Sequence, residues 1–166
     1  MSSFVNDKLH EMRNNLIEEI SSLSLEQFNF RPELDTWSIA QICHHLVLVE
    51  KSSTKAIAWG LIEGKNTHEE NEKVHQILDR SKKYKAPKVV EPDAGSFEFQ
   101  QVLDMLHNSR KKLMTFLCTI EDKSILAQKS VKHPALGDLP LNQWIEQIYL
   151  HEQRHIEQIK DIKSLI

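Results

Sequence analysis

The sequence predicts an all-α protein, a four-helix bundle. Three observations carry that expectation. Four stretches repeat apolar residues every three or four positions, turn formers are scarce (four Gly and five Pro in 166 residues), and one long polar segment separates the second stretch from the third. Apolar residues at steps of three and four line one face of an α-helix. So few turn residues cannot serve an all-β fold, which needs many tight turns. Four amphipathic helices with one long crossover suit a bundle sharing one core.

In the first stretch Val5, Leu9, Met12, Leu16, Ile20 and Leu23 fall on one face. Ser24 and Phe28-Asn29-Phe30-Arg31-Pro32 interrupt it, since proline restricts the residue before it. The second stretch opens at Ser38, a natural N-cap with Gln41 three residues on. Ile39, Ile42, Leu46, Val49, Ser53 and Ala56 form its stripe, which runs toward Trp59 and ends near Gly60 or Gly64. The third runs from about Phe97 to Ile120 on Phe99, Val102, Leu106, Leu113, Phe116 and Ile120. The fourth runs from Leu141 toward the C-terminus on Trp144, Ile148, Ile159 and Ile162, with Pro140 at its entrance. Between the second and third helices, Glu69 to Ser81 suggests a short helix on Val74, Ile77 and Leu78. The Lys82-Lys83-Tyr84-Lys85 run reads as its solvated basic end, and Ala127 to Pro140 reads as a loop.

Composition limits the function. The length suits a single domain, residues 1–166, and a net charge of −3 gives no footprint for general nucleic-acid binding. No stretch approaches the apolar length of a membrane span, and no secretory signal is visible, so a cytoplasmic setting is expected. Cys43 and Cys118 then fit reduced, buried thiols better than a disulfide.

Histidines carry the chemistry. His151 and His155 lie four apart, one turn of helix, and continue the buried stripe from Trp144 and Ile148 to Ile159 and Ile162. Two inward imidazoles each need a partner, and a shared metal ion would satisfy both. Such pairs also occur exposed or bonded to carboxylates, and the order here is not the His-Glu-x-x-His of zincins. Glu152 points around the helix from His151 and is a weak general base. On the second helix, His45 lies three after Ile42 and four before Val49, on the inward face. His44 is turned from it by about 100°. His45 is therefore the better third ligand, in the manner of sites built between facing helices. His10, His68, His75 and His107 read as surface residues. His133, before Pro134, reads as a loop residue that could lie at the mouth of the site.

These residues together resemble the DinB-like superfamily. The matching elements are Trp37-Ser38, His45-Leu46, the His133-Pro134…Gly137…Leu139 segment and His151-x-x-x-His155-x-x-Gln158-Ile159, spread over nearly the whole chain. The resemblance implies an up-down-down-up bundle and a divalent ion, nickel or zinc, held by His45, His151 and His155. It also implies the activities of that superfamily: metal-dependent hydrolysis, or thiol S-transfer and isomerisation with a low-molecular-weight thiol. The chain lacks the Arg-Tyr-Pro-Ile-Gly-type stretch of the hydrolase-like branch. Three protein ligands leave coordination positions open, which favours catalysis on a small molecule or thiol. The alternatives are a metal-binding stress-response protein without turnover and a metal-free interaction module. No general base is identified, a role for Gln158 beside the ligands stands equal with helix packing, and a homodimer through Trp59 or Trp144 stays open.

Overall fold

The computed structural model describes residues 3–166. Its long helices are α1 (Ser3–Ser21), α3 (Ile39–Glu63), α4 (Phe99–Cys118) and α6 (Leu141–Lys163). The short α2 (Leu25–Asn29) and α5 (Ile125–Gln128) lie in connections. Contacts between the long helices give their directions. Arg13 meets Glu152 and Glu19 meets Lys163, so α1 and α6 run parallel. Glu50 meets Arg110, each about halfway along its helix, and His44 packs on Phe97 beside the starts of both, so α3 and α4 run parallel. His45 meets His151 while Ser53 meets Gln147, so α3 and α6 are antiparallel. The order is up-down-down-up, as expected.

The stripes behave as the periodicity predicts. Leu9, Met12, Leu16 and Ile20 of α1, Val102, Leu106 and Leu113 of α4, and Ile148, Ile159 and Ile162 of α6 join one buried core. Ser24 and Ser38 each close a capping box with the glutamine three residues on, so a backbone N–H at each helix start is satisfied by a side chain. The first box is the reason the break after α1 contains a helical turn rather than plain coil. Near the end of α3, Gly60 lies under Leu141 and Val131, and a Cβ there would come within 2.6 Å of both side chains. That close approach seats the last helix and the segment before it on α3.

That segment corrects an expectation. Residues 127–140 are not a loop: β2 (Lys129–His133) and β3 (Gly137–Pro140) pair antiparallel, with Val131 opposite Leu139 and Lys132 opposite Asp138. A two-residue strand, β1 (Lys65–Asn66), completes the sheet on the other side of β2. Four- and five-residue strands are too short to show a period, and Pro140 reads as a strand breaker. On the outer strand its missing N–H costs no ladder bond. Gly137 takes φ +72° at the turn, a conformation that suits glycine.

The expected short helix in the crossover is a 3₁₀ helix, Lys73–Leu78, that buries Val74 and Ile77. Arg154 of α6 fastens the end of this helix and the turn after it by donating to the carbonyls of Ile77, Asp79 and Lys82. The chain then crosses the open face of the bundle and returns to the start of α3. Cys43 is buried as expected, but Cys118, the last residue of α4, is exposed, and both are free. Among the described residues, no helix is long and apolar enough to cross a membrane.

Candidate metal centre

His45 reaches the site from α3, and His151 and His155 from α6. The Nε2 atoms converge: His151 Nε2 lies 3.3 Å from that of His45 and 3.1 Å from that of His155. The three rings pack edge to face with centroids 4.5–5.0 Å apart. The structure thus brings together the three histidines singled out by helical spacing.

Hydrogen bonds fix which ring nitrogen carries the proton. His45 Nδ1 lies 2.7 Å from the Val90 carbonyl, which can only accept, so Nδ1 is the donor. His155 Nδ1 lies 2.7 Å from Gln158 Oε1 and is likewise the donor. In the neutral rings the Nε2 of both therefore carries a lone pair, and both lone pairs face His151. His151 Nδ1 is buried without a partner among the described residues. If His151 donated through Nε2, it could satisfy its neighbours only by leaving a bare Nδ1 acceptor in the protein. If it holds its proton on Nδ1, three lone pairs converge on one point. Such a donor set is completed by a cation.

The rings are held neutral. Burial pushes His155 down to about 3, with the neighbouring His45 adding to it. Burial also lowers His45, and lowers His151 well below the ordinary histidine value, with His155 and His45 next. Neutral imidazoles are the form that binds metals.

The cluster lies in a cleft of about 1080 Å³. Trp37, 4.9 Å from the His45 ring, and Val49 and Ala56 give it apolar walls, facing Val131 and Trp144. Its rim is basic: Arg80, Lys83, Lys85, Lys132 and Arg154 line it against a single carboxylate, Asp35. The Lys82–Lys85 run is solvated, as expected, but borders this cleft, and Arg154 stands 5.7 Å over the Tyr84 ring.

The other histidines divide. His133 is a buried cleft residue at the end of β2, lowered to about 4 by burial and packed at a tilt against Trp144, ring centroids 4.8 Å apart. Its Nδ1 accepts from the backbone N–H groups of Ala135 and Leu136, so the proton sits on Nε2. His44 is also buried but faces away, accepting from the Asp93 N–H. His10, His68, His75 and His107 are exposed. Burial pushes the Cys43 thiol up to about 12, so it is no nucleophile.

Sequence reasoning missed two features. Val90, which orients His45, comes from the crossover and carries no motif. The other is a buried ion cluster of Arg13, Glu50, Arg110 and Glu152. Its signal was legible: Arg13, Glu50, Arg110 and Glu152 each stand four residues after a buried Leu or Ile, on the inward stripes of four different helices. Glu152 points into this cluster, away from the cleft.

A four-helix bundle of this topology, with three inward histidines on antiparallel helices, defines a class of small helical protein. A family model described as the DinB superfamily matches residues 8–159, and the chain belongs to that superfamily. It is 27% identical over 157 residues to YuaE of Bacillus subtilis (strain 168), covering 95% of this chain and 96% of YuaE. Among solved structures it is similar to TT2238, a four-helix bundle protein, with TM-score 0.64 and 14% identity over 96% of this chain and 98% of the other. It is also similar to YfiT from Bacillus subtilis, described as a probable metal-dependent hydrolase with an unusual four-helix bundle topology. There the TM-score is 0.67 and the identity 16%, over 98% of this chain and 85% of YfiT. At such identities the two structures share a fold with this chain.

Proposed function

We propose that the chain is a metal-dependent enzyme that holds one divalent ion on His45, His151 and His155 and acts on a small anionic substrate in the cleft above it. The observation that carries this reading is the convergence of Nε2 atoms whose lone pairs are fixed by the Val90 carbonyl and Gln158. Imidazole donors suit nickel or zinc. When bound, an ion with three such ligands keeps positions open and acts there as a Lewis acid.

The chain's own residues serve the rest. Cys43 is buried outside the cleft and Cys118 lies at the end of α4, so the chain offers no thiol nucleophile there, and water or a small thiol brought in takes that role in this reading. His133 offers a neutral Nε2–H beside Gln147, which in turn donates to Ser53 at 2.7 Å. The basic rim in a chain of net charge −3 attracts anions by focusing positive potential at the mouth. Hydrolysis comes first, in keeping with the description of YfiT. Thiol transfer is the second reading, favoured by a cleft of about 1080 Å³, ample for a thiol and an electrophile together.

The test is metal analysis of protein purified without a His-tag, beside His151→Ala. One equivalent of nickel or zinc in the wild type and none in the variant is expected; no metal in either overturns the site. Metallated protein is then assayed on ester and amide panels, and with small thiols plus monochlorobimane. Metal-dependent turnover in one panel assigns the reaction, and none in either leaves a metal-binding protein without catalysis.

A further inference from the structure

His151 is the one member of the cluster whose outer nitrogen has no protein partner. His45 has the Val90 carbonyl and His155 has Gln158, whereas His151 Nδ1 is buried and unpaired among the described residues. A histidine that ligates a metal almost always donates its other N–H to a carboxylate, a carbonyl or a water. The surroundings of His151 show which of these applies.

Behind its ring lies a second, small cavity of about 10 Å³, walled by Leu46, Val49, Ile148, Arg13, Glu50 and Glu152 together with His151 itself. His45 and His155 do not line it, so His151 alone of the three histidines borders both this cavity and the cleft, with Val49 beside it. Its Nε2 is on the cleft side, and Nδ1 is the only polar ring atom left for the other. About 10–15 Å³ is the room one water needs, and a buried water needs two to four polar partners. The far wall supplies them. Glu152 receives Arg13 Nε at 2.6 Å and Arg110 Nη2 at 2.9 Å, and Glu50 receives Ser109 Oγ at 2.5 Å and Arg110 Nε at 2.7 Å. Arg13 Nη2 stands 3.4 Å from both Glu50 oxygens, a slack contact with hydrogen to spare. Both carboxylates keep unused acceptor capacity.

We infer that one buried water occupies this cavity, accepts the His151 Nδ1–H, and donates to the Glu50 and Glu152 carboxylates. The water closes the last open hydrogen bond of the histidine cluster. It also makes the ion cluster a positioning device: the carboxylates hold the His151 proton on Nδ1 and so keep its Nε2 lone pair aimed at the cleft. Glu50 and Glu152 are positioning residues that act through His151. The effect on metal affinity rests on the three-histidine reading above, but the water and the tautomer do not.

The test separates the two. In metal-free protein labelled with ¹⁵N-histidine, NMR should show a slowly exchanging His151 Hδ1 that cross-relaxes with a long-lived water. Zinc affinity is then measured by chelator competition. Glu152→Gln should lower it roughly 10- to 100-fold. Because that variant also unbalances two guanidiniums and loosens the bundle, Leu46→Met, whose longer and pliable side chain fills the small cavity from a wall residue that does not border the cleft, is the second variant. It should remove the water signal and weaken zinc binding while the fold persists. A His151 Nδ1 without a proton, or no water cross-relaxation, overturns the inference; so does wild-type zinc affinity in both variants. A water signal in a protein that binds no zinc would instead overturn the metal site alone.

Discussion

Two buried polar clusters border the same small cavity in this bundle, and they are built on opposite principles. Arg13, Glu50, Arg110 and Glu152 carry two charges of each sign and pair with one another, while Ser109 donates to Glu50 and the carbonyls of Leu106 and Leu9 accept from Arg13 and Arg110. His45, His151 and His155 carry no charge and meet lone pair to lone pair. The first cluster balances its charges within the chain and joins four helices. The second is complete only with something added. A buried polar group that its own fold satisfies serves architecture, while one left wanting points to a ligand.

The largest effect should come from breaking the complete cluster. Arg110→Ala leaves both Glu50 and Glu152, each buried, short of a charged partner, a loss of about 3–5 kcal/mol. Urea unfolding should show it as a large drop in midpoint. His155→Ala, in metal-free protein, should cost only about 1 kcal/mol, because the site opens to the cleft and the change relieves the crowding of lone pairs. Equal losses from the two variants would erase the distinction between the clusters.

Adding metal should narrow the gap between the two variants. At an ion concentration about 100 times the dissociation constant, wild type should gain about 2.7 kcal/mol of unfolding free energy, and His155→Ala nothing. Thermal unfolding with and without zinc reads this directly. A gain that survives in His155→Ala would place the ion elsewhere.

The buried histidines should also answer to pH. Burial holds His133 near 4 and His155 near 3, and lowers His45 and His151 too. In the unfolded chain these groups titrate near 6.5. The unfolded state thus binds more protons between the two values. The stability from keeping them neutral is whole above about pH 6.5 and is lost as pH falls through the folded values. For His133, with a folded value of about 4, metal-free protein should weaken by about 1.4 kcal/mol per pH unit between about 6.5 and 4. His133→Asn should remove that share of the slope. A slope unchanged by the substitution would mean that His133 is charged in the fold.

How far each cluster could be read from sequence depends on the same division. The three histidines were legible because each sits at a stripe position of a long helix, where spacing alone fixes the face. The four helices and their order were legible for the same reason, once the resemblance supplied the topology. The hairpin over 129–140 was not: its strands of five and four residues show no clean alternation of buried and exposed side chains, and Gly137 and Pro140 look like loop residues until pairing explains them. Val90 contributes only its backbone, which no side-chain pattern encodes. The ion cluster was legible in principle, as four charges on apolar stripes summing to zero, but only by comparing the helices with one another. Glu152, read alone beside His151, pointed to a poor general base rather than to Arg13 and Arg110.

The smallest effect should come from Gln158, where two roles for one residue make different predictions. If Gln158 serves only to pack α6, then Gln158→Leu, similar in size, should leave metal affinity alone and change the stability of the metal-free protein. If it orients His155 through the 2.7 Å bond to Nδ1, the same change should leave the fold intact. Zinc affinity should then fall about tenfold, since the ring loses the acceptor that fixes its proton and its angle. Gln158→Glu should restore the acceptor, and its charge should raise the basicity of the ring, so affinity should return to the wild-type level or above. Chelator competition and urea unfolding on the same three proteins decide between these. The cluster that needs a ligand should answer in affinity, and the cluster that needs none should not move.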